Sequence, residues 1–340
     1  MTSIKLSILE QSPISEGQTA TEALKETVEL AKWADRTGFN RFWVSEHHDT
    51  ASLAGSSPEV LISHIGSHTK NIRLGSGGIM LPHYSAYKVA ENFKLLEALY
   101  PNRIDLGIGR APGGMPRASY ALADGRPRDV KRYPQQVDDL LMYLHDTIPD
   151  VHPYKGLIAG PMSDSIPPVW MLGSSPSSAL VAAEKGLPYS FALFINGEGG
   201  ESFLHKYRQH FQPSPYLKKP KTMVTVFVVC AETEERANYI AGSKDLAMLM
   251  AEQGMTSKGT PHPDKFLQYK MSPYEEKRVE FNRNRMVVGT PEKVKTELNR
   301  ISREYETDEL MLATITYDFK DKLKSFELIA REFGYNKGQH

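Results

Sequence analysis

The chain has 340 residues with 41 Lys plus Arg against 41 Asp plus Glu, a formal charge of zero, and no block of like charge that would make nucleic acid or an anionic membrane its main partner. A lone cysteine, Cys230, excludes an intrachain disulfide framework and a Cys-based zinc site, so no oxidising compartment is required. Residues 1–10 lack a basic start followed by a long apolar stretch, and the longest apolar runs are strand-sized, so the expectation is a cytoplasmic protein without a membrane segment that acts on a small molecule.

Short apolar, β-rich runs alternate with longer helical patterns. Strands are predicted over residues 4–9, 40–45, 72–80, 103–108, 169–172, 189–193, 223–230 and 309–315. Helices are predicted over 21–36, 87–99, 134–145, 178–185, 234–250, 291–305 and 320–333. Strand followed by helix, repeated, calls for parallel strands joined by crossover helices. Eight repeats point to a closed (β/α)8 TIM barrel, with an open doubly wound sheet as the alternative. Segments 146–168 and 252–285 stand outside the repeat and read as insertions on the carboxyl-end face of one domain spanning 1–340.

After the second strand come Glu46, His47, His48 and Asp49. Neighbours on an extended chain face opposite ways, so the two histidines do not serve one ion together. One of them can line a pocket; a polar loop with a structural histidine is the other reading. His64 and His68 share a helix face but lack a third ligand, so no metal is expected. The third strand ends in Gly75, Ser76, Gly77 and Gly78, where glycine marks a bulge or the close approach of a flat ligand.

The fourth strand leads into Gly107, Gly109, Arg110, Pro112 and Gly113. Pro112 occupies the third glycine position of a dinucleotide fingerprint, which weakens that reading. Arg110 and Arg132 instead offer fixed positive charge to an anionic ligand. The fifth strand ends in Gly173, Ser174, Ser175, Pro176 and Ser178 at a helix start. Free helix N–H groups with hydroxyls around them make a phosphate seat; simple capping explains one serine and leaves the cluster over. Cys230, inside an apolar strand, reads as buried filler.

These pieces together, from 42–49 through 77–82 and 103–114 to 172–178, resemble the bacterial luciferase-like flavin monooxygenase family over residues 6–333. The resemblance implies a (β/α)8 barrel with FMN at the carboxyl ends of its strands. His47 then matches an active-site histidine, expected near neutral pKa, and Gly77 and Gly78 match a bulge that supports the flavin ring and often contains a non-proline cis peptide. Arg110 and Arg132 match arginines near the flavin phosphate, and Gly173, Ser174, Ser175 and Ser178 match the phosphate loop. Luminescent members carry Glu where Ser174 stands and Cys where Gly109 stands, which argues against light emission from an aldehyde.

The implied activity is oxygenation of a small organic substrate by reduced FMN and O2, the flavin coming from a separate reductase, in a homodimer. Substrate choice would fall to the loops at 10–15, 49–56, 115–128 and 252–285. Two alternatives accompany this reading. One is an F420-dependent oxidoreductase on the same barrel, with Lys206, Arg208 and the lysines of 218–221 around the longer cofactor; the other is a non-catalytic flavin-binding protein.

Overall fold

In the computed structural model, residues 4–126, 129–197, 199–255 and 258–335 are described. Ten strands run in chain order: β1 Lys5–Glu10, β2 Arg41–Val44, β3 Arg73–Ser76, β4 Ile79–Met80, β5 Ile104–Gly109, β6 Val169–Gly173, β7 Tyr189–Ala192, β8 Thr222–Cys230, β9 Met286–Gly289 and β10 Glu309–Ala313. Parallel pairing runs β1, β2, β3, β5, β6, β7, β8, β10 and back to β1, with Ile8 against Phe42, Trp43 against Gly75 and Leu310 against Val224. The sheet therefore closes as an eight-stranded barrel with helices between its strands.

Alternation along each strand divides the side chains between two cores. Leu6, Ile8, Phe42, Val44, Val224, Val226, Leu310 and Leu312 face out against the helices. Leu9, Trp43, Trp170, Met223, Phe227, Met311 and Ala313 face in and fill the barrel, as layers of inward side chains do in such barrels. The lowest inward layer is polar. Asp105, fully buried, accepts from Arg41 at 2.5 Å, Arg73 at 2.7 Å and the Trp43 indole at 3.1 Å. Glu309 accepts from Arg41, Ser7 and Asn40 at 2.6–2.8 Å. Burial alone would raise the Asp105 carboxyl, but the two guanidiniums outweigh it and hold it below the usual carboxylate range.

Three features differ from the expected elements. The run expected over 72–80 breaks at Gly77 and Gly78 into β3 and β4. A ninth strand in the pairing order, β9, continues the β7 side of the long β8 strand: residues 222–225 pair with β7 and 227–230 with β9. The segment at 252–285 holds two helices, Pro263–Gln268 and Pro273–Arg283, with Thr256 and Ser257 outside the described residues. Helices Pro58–Gly66, Pro116–Leu122 and Gly200–His210 also complete the alternation.

Candidate active site

Because the strands are parallel, their carboxyl ends open together on one face, the face that carries sites in such barrels. A cavity of about 300 Å³ lies there. Its floor is apolar, with Leu9, Trp43, Leu172 and Met311 from the barrel interior. One wall is Gly77, Gly78 and Gly109, and the Gly77–Gly78 peptide is cis. The opposite end is polar: Arg110, Gly173, Ser174, Ser175 and Ser178. The fold thus brings seven of the nine expected site residues into one cavity.

The two wall glycines answer to packing as well as to ligand approach. A Cβ on Gly77 would stand 2.5 Å from the Leu9 side chain, and one on Gly78 would stand 2.7 Å from the Gly107 carbonyl oxygen. A side chain at 78 therefore collides with Leu172 of the cavity floor, at 2.4 Å, as well as with β5, so glycine there answers to packing around the cavity in addition to any flat ligand.

At the polar end, β6 runs into the helix Pro176–Glu184, whose N-cap is Ser175. The Ser175 hydroxyl accepts from the Ser178 N–H, and the Ser178 hydroxyl donates to the Ser175 carbonyl at 2.8 Å and lies 3.0 Å from the Tyr189 hydroxyl. Burial pushes that phenol up to about 12, so it stays protonated. Asn196, which the sequence did not single out, donates to the Ser174 carbonyl at 3.0 Å and holds the loop from the β7 side. Arg110 is exposed, with Nη1 3.5 Å from the Ser177 hydroxyl. Hydroxyls, a helix start and a guanidinium converge here, a donor set that suits a phosphate.

Arg132 and His47 stand apart from the lining. Arg132 is exposed, in the short turn Val130–Arg132 that leads into the helix Tyr133–Leu144. His47 continues the inward parity of Arg41 and Trp43, and its ring is half-buried at the mouth with Nε2 3.3 Å from the Gln11 amide nitrogen. Burial, joined by the charge of Lys244, pulls its pKa down to about 4. The near-neutral value expected for it is thus corrected: desolvation disfavours the imidazolium, and His47 is a neutral imidazole at physiological pH.

His48 faces the other way. Its Nε2 lies 2.8 Å from buried Glu46, which also accepts from the Tyr84 hydroxyl at 2.8 Å and the Met80 N–H at 3.0 Å. The His48 N–H donates to the Gly113 carbonyl at 2.8 Å. Glu46, given no role from the sequence, thereby ties the loop after β2 to β4, while the His48 backbone ties the same loop to the one after β5.

The residues considered for a longer cofactor lie at the other end. Arg208 donates to the Tyr305 and Glu306 carbonyls ahead of β10, and the Lys221 ammonium, just before β8, sits 5.1 Å from the Trp170 ring centroid. Both are at the amino ends of the strands. Cys230 is buried, and burial pushes its thiol up to about 12, which leaves it inert. Among the described residues no group of three or more His, Cys, Asp or Glu side chains could hold an ion, and no helix is long and apolar enough to cross a membrane.

An apolar floor, a glycine wall and an anion seat thus share one cavity. Comparison with known proteins points to one family. The family model for luciferase-like monooxygenases matches residues 4–306. A Bacillus subtilis (strain 168) protein named YwcH is 55% identical over 330 residues, 97% of this chain and 99% of that protein. The N-acetyl-S-alkylcysteine monooxygenase of the same organism is 37% identical, covering 96% of this chain and 97% of its own. The crystal structure of apo-MsnO8 superposes with a TM-score of 0.90 at 36% identity, over 98% of this chain and 99% of that one. Solved structures below 20% identity share the fold alone; among them are a diketocamphane monooxygenase in complex with FMN and an F420-dependent secondary alcohol dehydrogenase, with TM-scores of 0.69 and 0.71.

Proposed function

The chain belongs to the luciferase-like monooxygenase family of oxidoreductases, and from that premise we propose that it is an FMN-dependent monooxygenase acting on a small organic substrate. The observation that carries the choice of FMN is the anion seat within the cavity: Ser174, Ser175, Ser178 and Arg110 lie at one end, and the remaining lining is mostly glycine and apolar side chains with the Ser190 and Thr225 hydroxyls. Of the basic residues considered for the longer acidic tail of F420, Arg208 and Lys221 lie at the amino ends of the strands, away from this cavity.

Bound reduced flavin supplies the activation of O2, chemistry that belongs to the cofactor. The chain's own residues bind, orient and shield. The N–H groups at the start of helix Pro176–Glu184, with the serine hydroxyls and Arg110, hold the phosphate. Leu9, Trp43, Leu172 and Met311 exclude water from the reacting face. His47, uncharged, exchanges a hydrogen bond at Nε2 rather than storing a proton. Glu46 acts at one remove by fixing β4 and His48, whose backbone N–H holds the loop after Arg110 at Gly113. The reading further includes a separate flavin reductase, a homodimer in the cytoplasm, and one barrel domain with insertions at about 146–168 and 252–285. Arg132 lies outside the cavity lining, and we assign it a long-range electrostatic contribution to the phosphate site.

The test is equilibrium titration with oxidised FMN, reduced FMN under anaerobic conditions, and F420, followed by admission of O2 to the reduced complex. FMN binding at micromolar concentration or tighter, with F420 at least tenfold weaker, is expected. The reverse order overturns the assignment.

A further inference from the structure

We propose that the mouth of the barrel beside the flavin cavity holds a substrate carboxylate on Lys244, with Arg285 as a second cation, so that the substrates of this enzyme are small organic acids with an apolar body. The inference rests on the flavin reading for the word substrate, though not for the anion site itself.

Lys244 lies on the helix Glu234–Glu252 that follows β8. It is half-buried, and its ammonium stands 4.5 Å from the ring centroid of Phe227, an inward-facing residue of the barrel. Phe227 in turn packs edge-on against Phe194, with centroids 5.0 Å apart, and Phe194 lines the flavin cavity. A cation has therefore been placed two aromatic rings away from the cofactor cavity. It makes no hydrogen bond or ion pair with any described residue. The adjacent carboxylate, Asp245, is engaged by Arg283, which donates to both of its oxygens at 2.6–2.8 Å.

Burying an ammonium without a counter-ion is costly, and the ring beneath returns only part of that. Arg285 adds to the same field. Its Nη1 donates to the carbonyl of Ile195, another residue of the flavin cavity, at 2.8 Å, its Nη2 donates to Asn282 Oδ1 with the Glu252 carboxylate in the surrounding field, and its Nε is buried without a hydrogen-bond partner. Burial first, and Arg285 next, lower the Lys244 pKa to about 8. Two cations held near one another against an apolar floor, with His47 uncharged across from them, describe a site completed by an anion. At the opposite end of the barrel, by contrast, Arg41 and Arg73 are paired with Asp105 and Glu309. A carboxylate suits the place better than a second phosphate, since the aromatic and aliphatic surroundings ask for a ligand that is mostly hydrocarbon with one charged end.

The experiment is isothermal calorimetry of hexanoate, and of its neutral counterpart hexanamide, into the FMN-saturated protein, the wild type beside Lys244→Gln and Lys244→Arg. Hexanoate is expected to bind roughly 10- to 100-fold more tightly than hexanamide, the range of a charge-assisted hydrogen bond. Lys244→Gln should erase that preference and Lys244→Arg should keep most of it. Equal binding of the two ligands, no binding of hexanoate at millimolar concentration, or an acid preference that survives Lys244→Gln would each overturn the proposal. FMN is titrated in parallel. A wild type that ignores FMN counts against the flavin reading, while the hexanoate comparison, repeated on the flavin-free protein, still decides the subsite.

Discussion

Replacing His47 by Gln should flatten the pH dependence of stability. In the folded protein its pKa is pulled down to about 4 by burial, then by Lys244 and His48, from an ordinary 6.5. A lowered histidine pKa means that the unfolded chain binds the proton first, so stability is full above about pH 6.5 and falls as the pH drops toward 4. At pH 5 the chain is about 1.5 units below the unfolded value, and each unit is worth about 1.36 kcal/mol, so the penalty there is about 2 kcal/mol. Urea unfolding followed by tryptophan fluorescence at pH 7 and pH 5 measures it. Between these two conditions the wild type should lose about 2 kcal/mol more than His47→Gln. An equal loss in both proteins would show that the imidazole protonates freely in the folded state, and the account of a neutral His47 would be wrong.

Arg110→Ala should weaken FMN roughly 10- to 100-fold by fluorescence-quenching titration, as expected for a charge-assisted contact, and Arg132→Ala, outside the cavity lining, should cost less; the reverse order would relocate the phosphate. Gly173→Ala places a Cβ 2.0 Å from the Ser178 hydroxyl oxygen, so it should displace the serine loop and abolish FMN binding while circular dichroism still reports a folded barrel; unchanged affinity would detach that loop from the cofactor. Asp105→Asn leaves Arg41 and Arg73 short of a buried counter-charge and should destabilise the fold by about 3 kcal/mol in denaturant titration, and a loss under 1 kcal/mol would mean that Glu309 alone satisfies the cluster.

Much of the barrel was legible because its strands are short, continuous runs of β-branched and aromatic residues whose successive side chains face the helices and the barrel interior by turns, and the β8 run Thr222–Cys230, buried throughout, shows it most plainly. The same parity, extended past Val44, aims His47 inward and His48 outward. The ninth strand in the pairing order was not legible. Met286–Gly289 is four residues long, follows a polar helical segment, and exists because β8 outruns β7 and leaves an edge to be paired. The serine loop was legible as a helix start, but capping accounts for more of it than expected: Ser175 and Ser178 form a reciprocal capping box there, so two of the serines serve the cap. Burial was not legible. The pKa of His47, the hub role of Glu46 and the isolation of Lys244 all depend on which side chains from distant strands meet at the mouth, and no local spacing records that. Arg132, exposed like Arg110, stands outside the cavity lining, a placement that the order of residues along the chain does not record.

The central claim is that one cavity at the carboxyl ends of the strands takes FMN, phosphate at the serine turn and ring against the glycine wall. A crystal structure of the FMN complex tests it most directly. The phosphate should lie within hydrogen-bond reach of the N–H groups at Ser175 to Ser178 and of the Arg110 guanidinium, with the isoalloxazine over Gly77 and Gly78. A phosphate bound instead at the amino ends of the strands, beside Arg73 and Lys221, would contradict it.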